Sequence, residues 1–137
     1  MKKILLTTAL TLCTFTIIFP QTRANDITGL FLAYDPRTNY TSQMEIFRAS
    51  DGTFSARVVW VEDARQLHTI GTIQIRNLTF DSQSNEWRNG RVMFEGREFR
   101  LNARFAEDGR LRIRGFLGIS LLGRTQYWIR ESELRSS

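Results

Sequence analysis

The chain has 137 residues, with 19 lysines and arginines against 14 acids and a formal charge of +5. One cysteine and one histidine exclude an intrachain disulfide, a thiolate metal cluster and a multi-histidine zinc site. No repeat, low-complexity tract or linker divides the sequence, so a single domain is expected.

The first element in chain order is an export signal. Lys2 and Lys3 form a short basic start, Ile4 to Phe19 is apolar although interrupted by threonines, and Pro20 ends any helix. Thr22-Arg23-Ala24 then offers small residues at both ends of a cleavage site. Residues 1–24 are therefore expected to be a cleavable signal peptide and 25–137 the mature, exported domain, periplasmic or secreted. A transmembrane anchor needs roughly 20 predominantly apolar residues, and this run is shorter and rich in threonine. Cys13 lies inside the run with Leu12 before it, which disfavours lipid attachment.

Cleavage changes the chemistry that remains. The domain keeps no cysteine and no lysine, and 16 arginines face 14 acids, a net charge of about +2. Thiol and Schiff-base chemistry are excluded, and arginine, suited to planar, bidentate or stacked contacts, is the only cation. A near-balanced exported domain is not expected to bind nucleic acid.

From Gly29 onward, period-two alternation and turn signals dominate. Strands are predicted over about 29–34, 42–48, 54–61, 71–80, 87–94, 99–105, 110–114 and 124–131. Between them lie turns at Asp35-Pro36, Asp51-Gly52, Asp81 to Asn85, Glu95-Gly96, and Glu107-Asp108-Gly109. Residues 62–68 are the one stretch suited to a short helix. In the fourth strand the apolar phase slips between Ile75 and Leu78, which predicts a bulge near Arg76-Asn77. Residues 132–137 are expected to fray. Eight short strands, each with one apolar face, predict an all-β antiparallel up-and-down barrel that removes its own edges, with a two-sheet sandwich as the alternative.

A run from Arg114 through Gly118, Gly123, Arg124, Thr125, Gln126 and Trp128 to Arg130 resembles the C-terminal signature of a bacterial family catalogued as domain of unknown function 2147. Ile27 to Phe31, Met44 to Phe47, Val58 to Val61 and Trp87 to Arg91 resemble further family segments in the same order, so the likeness spans nearly all of 25–137. The resemblance implies an exported, lipocalin-like (calycin-type) barrel and, by fold analogy alone, a binder of small apolar ligands. It also implies mainly structural roles for the C-terminal motif. Two departures stand out. The family's cysteine pair is replaced by Ala49 and Ser55. Its first-strand tryptophan is Phe31, a ring that in such barrels closes the floor beneath an arginine of the last strand, here Arg124 or Arg130.

Candidate sites are few. His68 has no serine elbow beside it: Gly118-Ile119-Ser120-Leu121-Leu122-Gly123 has the wrong spacing, so no catalytic residue is assigned and an enzyme is not expected. The acids are scattered among turns and arginines, which suits surface balance better than paired catalysis or calcium ligation. No metal or cofactor is expected. The expected lining of a ligand cavity is Phe31, Trp60, Phe99, Leu101, Leu111 and Ile113, with Trp60 facing inward alongside Ala56 and Val58. The alternative is an envelope interaction or polyanion-binding module on an arginine stripe of Arg100, Arg104, Arg110, Arg112 and Arg114. A third surface, the apolar segment 116–122, is read as a cap over one barrel end or a lip for a partner.

Overall fold

A computed structural model of the protein describes residues 9, 11–15, 23–36, 38–94, 96–117 and 122–136. The side chains at 94, 116, 117 and 122–124 also lie outside the description. Eight strands follow one another: β1 (Gly29–Asp35), β2 (Tyr40–Arg48), β3 (Phe54–Val61), β4 (Ile73–Asp81), β5 (Glu86–Phe94), β6 (Arg97–Phe105), β7 (Leu111–Leu117) and β8 (Leu122–Glu131). Each pairs antiparallel with its neighbours in sequence, and β8 returns to β1, so the sheet is a closed barrel and the sandwich alternative falls away. Closure rests on a short seam, Leu30 to Leu32 against Ile129 to Glu131.

Among the described residues, helix is confined to two 3-10 turns. One, Ala64–Thr69, falls where a short helix was expected, with the Asp63 side chain accepting from the Arg65 N–H at its start. The other, Ala24–Ile27, was not expected. Tertiary contacts hold it: Ile27 is fully buried, and the Trp87 indole donates to the Ala24 carbonyl at 2.9 Å.

Alternation puts Phe31, Met44, Ile46, Phe54, Ala56, Val58, Leu101, Ala103, Leu111 and Ile113 on the inner faces, where all are buried. The bulge expected in β4 is present: three β4 residues span the interval from Leu78 to Ile75 that two β3 residues span from Phe54 to Ala56. Asn77 takes the extra place with φ +66°. A second bulge lies beside it in β5, where Asn89 has φ +63° and its carbonyl accepts from the Asn77 amide at 3.2 Å. The β5 bulge was not expected, because Arg88, Asn89 and Arg91 are all polar and no phase slip shows.

A third bulge overturns one expectation. Gln43 pairs with Trp60, but the next β2 residue, Met44, pairs with Val58, so Val59 is extra. The phase inverts there: Val58 stays inside and Trp60 turns to the outer face. The sequence shows only the apolar run Val58-Val59-Trp60-Val61, in which no polar residue marks the change of face.

The chain end also departs from expectation. Residues after β8 were expected to fray, yet they cross outside β1 and dock on β2 and β3. Gln43, on the outer face of β2, is completely buried beneath them. Its amide nitrogen donates to Glu131 Oε1 at 3.0 Å and to the Glu133 carbonyl at 2.8 Å, while its oxygen accepts from the Arg135 N–H at 2.9 Å. The Arg135 guanidinium lies over the outward Trp60 ring, 5.2 Å from its centroid. An otherwise orphaned buried amide is thereby satisfied, and the clasp backs the short β1–β8 seam.

Candidate functional site: an open cavity in the barrel

One end of the barrel is packed shut. Here β1 starts and β2, β4, β6 and β8 end. Trp87 is wholly buried, edge-on to Phe105 at 5.6 Å and tilted against Phe80 at 4.9 Å. Phe31 lies 6.4 Å from Trp128, with the Arg130 guanidinium over its ring at 4.7 Å. Arg130 also faces Phe105 at 5.5 Å and donates to the carbonyls of Asp26 and Thr28. Of the two arginines proposed for the floor, Arg130 is thus the one over Phe31; the Arg124 side chain lies outside the described residues. Gly29 sits at φ +136°, a conformation that residues with a side chain rarely adopt, and a Cβ there would stand 2.7 Å from Arg130 Nη1, which would have to shift.

Above that floor the barrel is hollow. A cavity of about 480 Å³ runs from Met44 and Leu101 toward the opposite end, which is open among the described residues. Its deep wall is apolar, built by Met44, Val58, Ile75, Leu101, Ile113 and Trp128. Polar residues of the lining strands include Ser42, Gln74 and Gln126. The Gln126 oxygen accepts from the Trp128 indole at 3.2 Å. The rim is polar, with Thr38 on one side, Gln66 and Thr69 of the 3-10 turn on another, and Tyr34 and Tyr40 between. Asp63 borders it too, its carboxyl held below the ordinary aspartate range by the bond from Arg65. Arg65 itself stands just outside, on Asp63 and the Tyr40 hydroxyl, and no arginine borders the cavity among the described residues.

The six residues expected to line a cavity are divided by this geometry. Leu101 and Ile113 border it. Phe31 and Leu111 lie in the floor, completely buried, and fill space there. Phe99 is half-buried on the inner face of β6 and does not border the cavity. Trp60 is outside the barrel altogether. The cavity wall includes residues not expected to line it, among them Met44, Val58 and Ile75; of these, Val58 alone was expected to face inward, alongside Ala56. Within the C-terminal motif, Gln126 and Trp128 face the cavity and Thr125 is half-buried. Gly118 and most of the expected apolar lip lie outside the described residues, as do the side chains at 123 and 124.

The arginine stripe is also redistributed. Arg104 pairs with Arg112, and Asn102 with Arg114, on the outer face of β6 and β7, and Arg100 shares that face. Arg110 falls in the β6–β7 turn instead, bonded to Asp108 at 2.7 Å and stacked over Tyr127 at 4.3 Å. The turn geometry of Asp108-Gly109 places it before the strand begins. His68 is exposed, its Nδ1 3.1 Å from the Arg65 carbonyl.

A family model described as an uncharacterized protein conserved in bacteria, DUF2147, matches residues 29–130. The chain belongs to this family. The matched span runs from the first residue of β1 to Arg130, so the DUF2147 unit is the barrel itself. Among solved structures, protein HP1028 from the human pathogen Helicobacter pylori, described as belonging to the lipocalin family, is similar at TM-score 0.62 and 16% identity. The match covers 79% of this chain and 84% of that one, and shows a shared lipocalin-like fold. No curated protein matches the chain. Among the described residues, no helix is long and apolar enough to cross a membrane.

Proposed function

We propose that this DUF2147 barrel binds one small apolar or amphipathic molecule, without chemical conversion, in the cavity between Met44 and the polar rim. The observation that carries the reading is the cavity itself: about 480 Å³, apolar at depth and open at one end. Ligand sites range over about 300–1,000 Å³ and combine apolar walls with a few placed polar groups. Ser42 and Gln126 are those groups here, and rim hydroxyls from Tyr34 and Tyr40 would meet a polar head. The carboxylates of Asp35 and Asp63 in the lining favour a neutral head over a carboxylate.

We further propose that residues 1–24 direct export and are removed. A cut after Ala24 takes away the carbonyl that receives the Trp87 indole, so the mass of the mature chain bears directly on how that floor is finished.

Native mass spectrometry of protein purified from its own host tests the binding reading, supported by titration with the neutral probe N-phenyl-1-naphthylamine. Saturable one-to-one uptake is expected, and Ile113→Trp, which projects a ring into the cavity, should abolish it while the fold is retained. Uptake unaffected by Ile113→Trp, or no uptake by the wild-type protein in either measurement, overturns the proposal.

A further inference from the structure

The outer wall of the barrel carries a feature that the cavity does not explain. Arg76 on β4 pairs directly with Arg91 on β5, and Arg91 pairs directly with Arg100 on β6. Directly opposed residues on neighbouring strands stand about 4.5–5.5 Å apart at Cα, and like charges so placed destabilise a sheet. Three arginines in one cross-strand row are therefore a cost to folding that the domain carries.

The row is a product of the paired bulges. Asn77 and Asn89 each add a residue, and beyond them the outward phase resumes at Thr79 and Arg88. Compensation is thin. Glu98 reaches Arg91 at 3.4 Å, and no carboxylate is within ion-pair distance of Arg76 or Arg100 among the described residues. Arg88, by contrast, is held by Asp81 and Glu86, and Arg104 by Glu86. A polar recess opens beside the row, bordered by Arg88, Arg100, Asn89 and Asn102. Asp81, at its other side, has its carboxyl held low by the backbone N–H of Gln83 and by Ser84.

We propose that the Arg76–Arg91–Arg100 row is a binding site for a phosphoryl group. A phosphoryl group is compact, carries about two negative charges and presents three oxygens, and guanidinium forks match such oxygens with paired N–H donors. Among the described residues, three guanidiniums with Glu98 as their ion-paired carboxylate leave an excess of two positive charges, which one such group neutralises. A carboxylate would leave the row half compensated. The site lies on the opposite side of the sheet from the cavity and stands whether or not the cavity holds a ligand.

The chemistry is shared by free phosphate and by phosphate-headed lipids, and two assays on the full chain separate them. One is calorimetric titration with inorganic pyrophosphate at low ionic strength; the other is co-sedimentation with phosphatidylcholine vesicles containing phosphatidic acid. Two double variants of equal charge loss are compared, R76Q/R100Q in the row and R104Q/R112Q elsewhere on the same wall. Binding in at least one assay is expected to weaken at least tenfold in R76Q/R100Q and less than threefold in R104Q/R112Q. The assay in which this occurs names the source. The melting temperature of R76Q/R100Q should be unchanged or higher, since a like-charge contact is removed. No binding of either probe, or equal weakening by the two double variants, overturns the proposal, the second result meaning that only a diffuse positive field is present.

Discussion

Leu111→Ala and Leu101→Ala make the same chemical change at two buried positions, and the cavity predicts that they differ in cost. Both leucines are inward and nearly or wholly inaccessible, but Leu111 lies in the packed floor while Leu101 borders the cavity. Removing three carbons forfeits about 2.4 kcal/mol of transfer free energy at about 0.8 kcal/mol per methylene. At Leu111 the surroundings are closed, so a void remains; at about 24 cal/mol per Å³, a residual void of about 80 Å³ adds about 2 kcal/mol. At Leu101 the truncated side chain merely enlarges a space that is already there, and the methyl groups lining it had fewer contact partners to lose. Leu111→Ala should therefore cost about 4 kcal/mol and Leu101→Ala about 2–2.5 kcal/mol. Urea unfolding at pH 7, followed by far-ultraviolet circular dichroism and analysed by linear extrapolation, reads both values. A difference below about 0.5 kcal/mol, or a larger cost at Leu101, would refute the reasoning and with it the hollow upper half of the barrel.

Other substitutions test other parts of the fold. Gly90→Ala would bring a Cβ to 2.6 Å from Leu101 Cδ1 and 2.9 Å from the Leu101 carbonyl oxygen, so it should destabilise by about 1–3 kcal/mol through overpacking, seen as a lowered urea midpoint. Arg130→Ala removes two carbonyl contacts and the ring contacts with Phe31 and Phe105, and at this exposed position should cost about 1–3 kcal/mol; Arg130→Lys should recover only part of that in the same assay. Gln43→Ala leaves the Arg135 N–H and the Glu133 carbonyl without their partner, and hydrogen exchange at Arg135 should rise sharply while exchange in β5 and β6 is unchanged. The clasp should also respond to acid. Arg135, and more weakly Gln43, hold the Glu131 carboxyl below the ordinary value near 4.5. Its stabilising contribution is then complete above about pH 4.5 and fades as pH falls through the lower folded value, which Trp60 fluorescence should report as release of Arg135 before global unfolding.

The elements of this protein follow from local pattern, because alternation and turn chemistry act over a few residues. Phe99, Leu101 and Ala103 against Arg100, Asn102 and Arg104 specify β6 and its faces. Asp108-Gly109 specifies the next hairpin, and the slip between Ile75 and Leu78 specifies a bulge. Eight such strands leave closure as the economical way to cover their edges, and the C-terminal motif names the family. What lies in the middle of the barrel is a different kind of property. Leu101 and Leu111 read identically as inward leucines, yet one borders empty space and the other lies in the floor, since filling depends on the summed volume of side chains from all eight strands. The face of Trp60 was decided by an extra residue at Val59, hidden in a uniformly apolar run. The clasp on Gln43 and the row Arg76–Arg91–Arg100 each join positions separated by many residues in the chain, and only the register of paired strands and the path of the chain end bring them together. The strands and their order were thus legible one segment at a time, whereas the cavity and the clasp exist only in the closed sheet, and the arginine row only in the register of three paired strands.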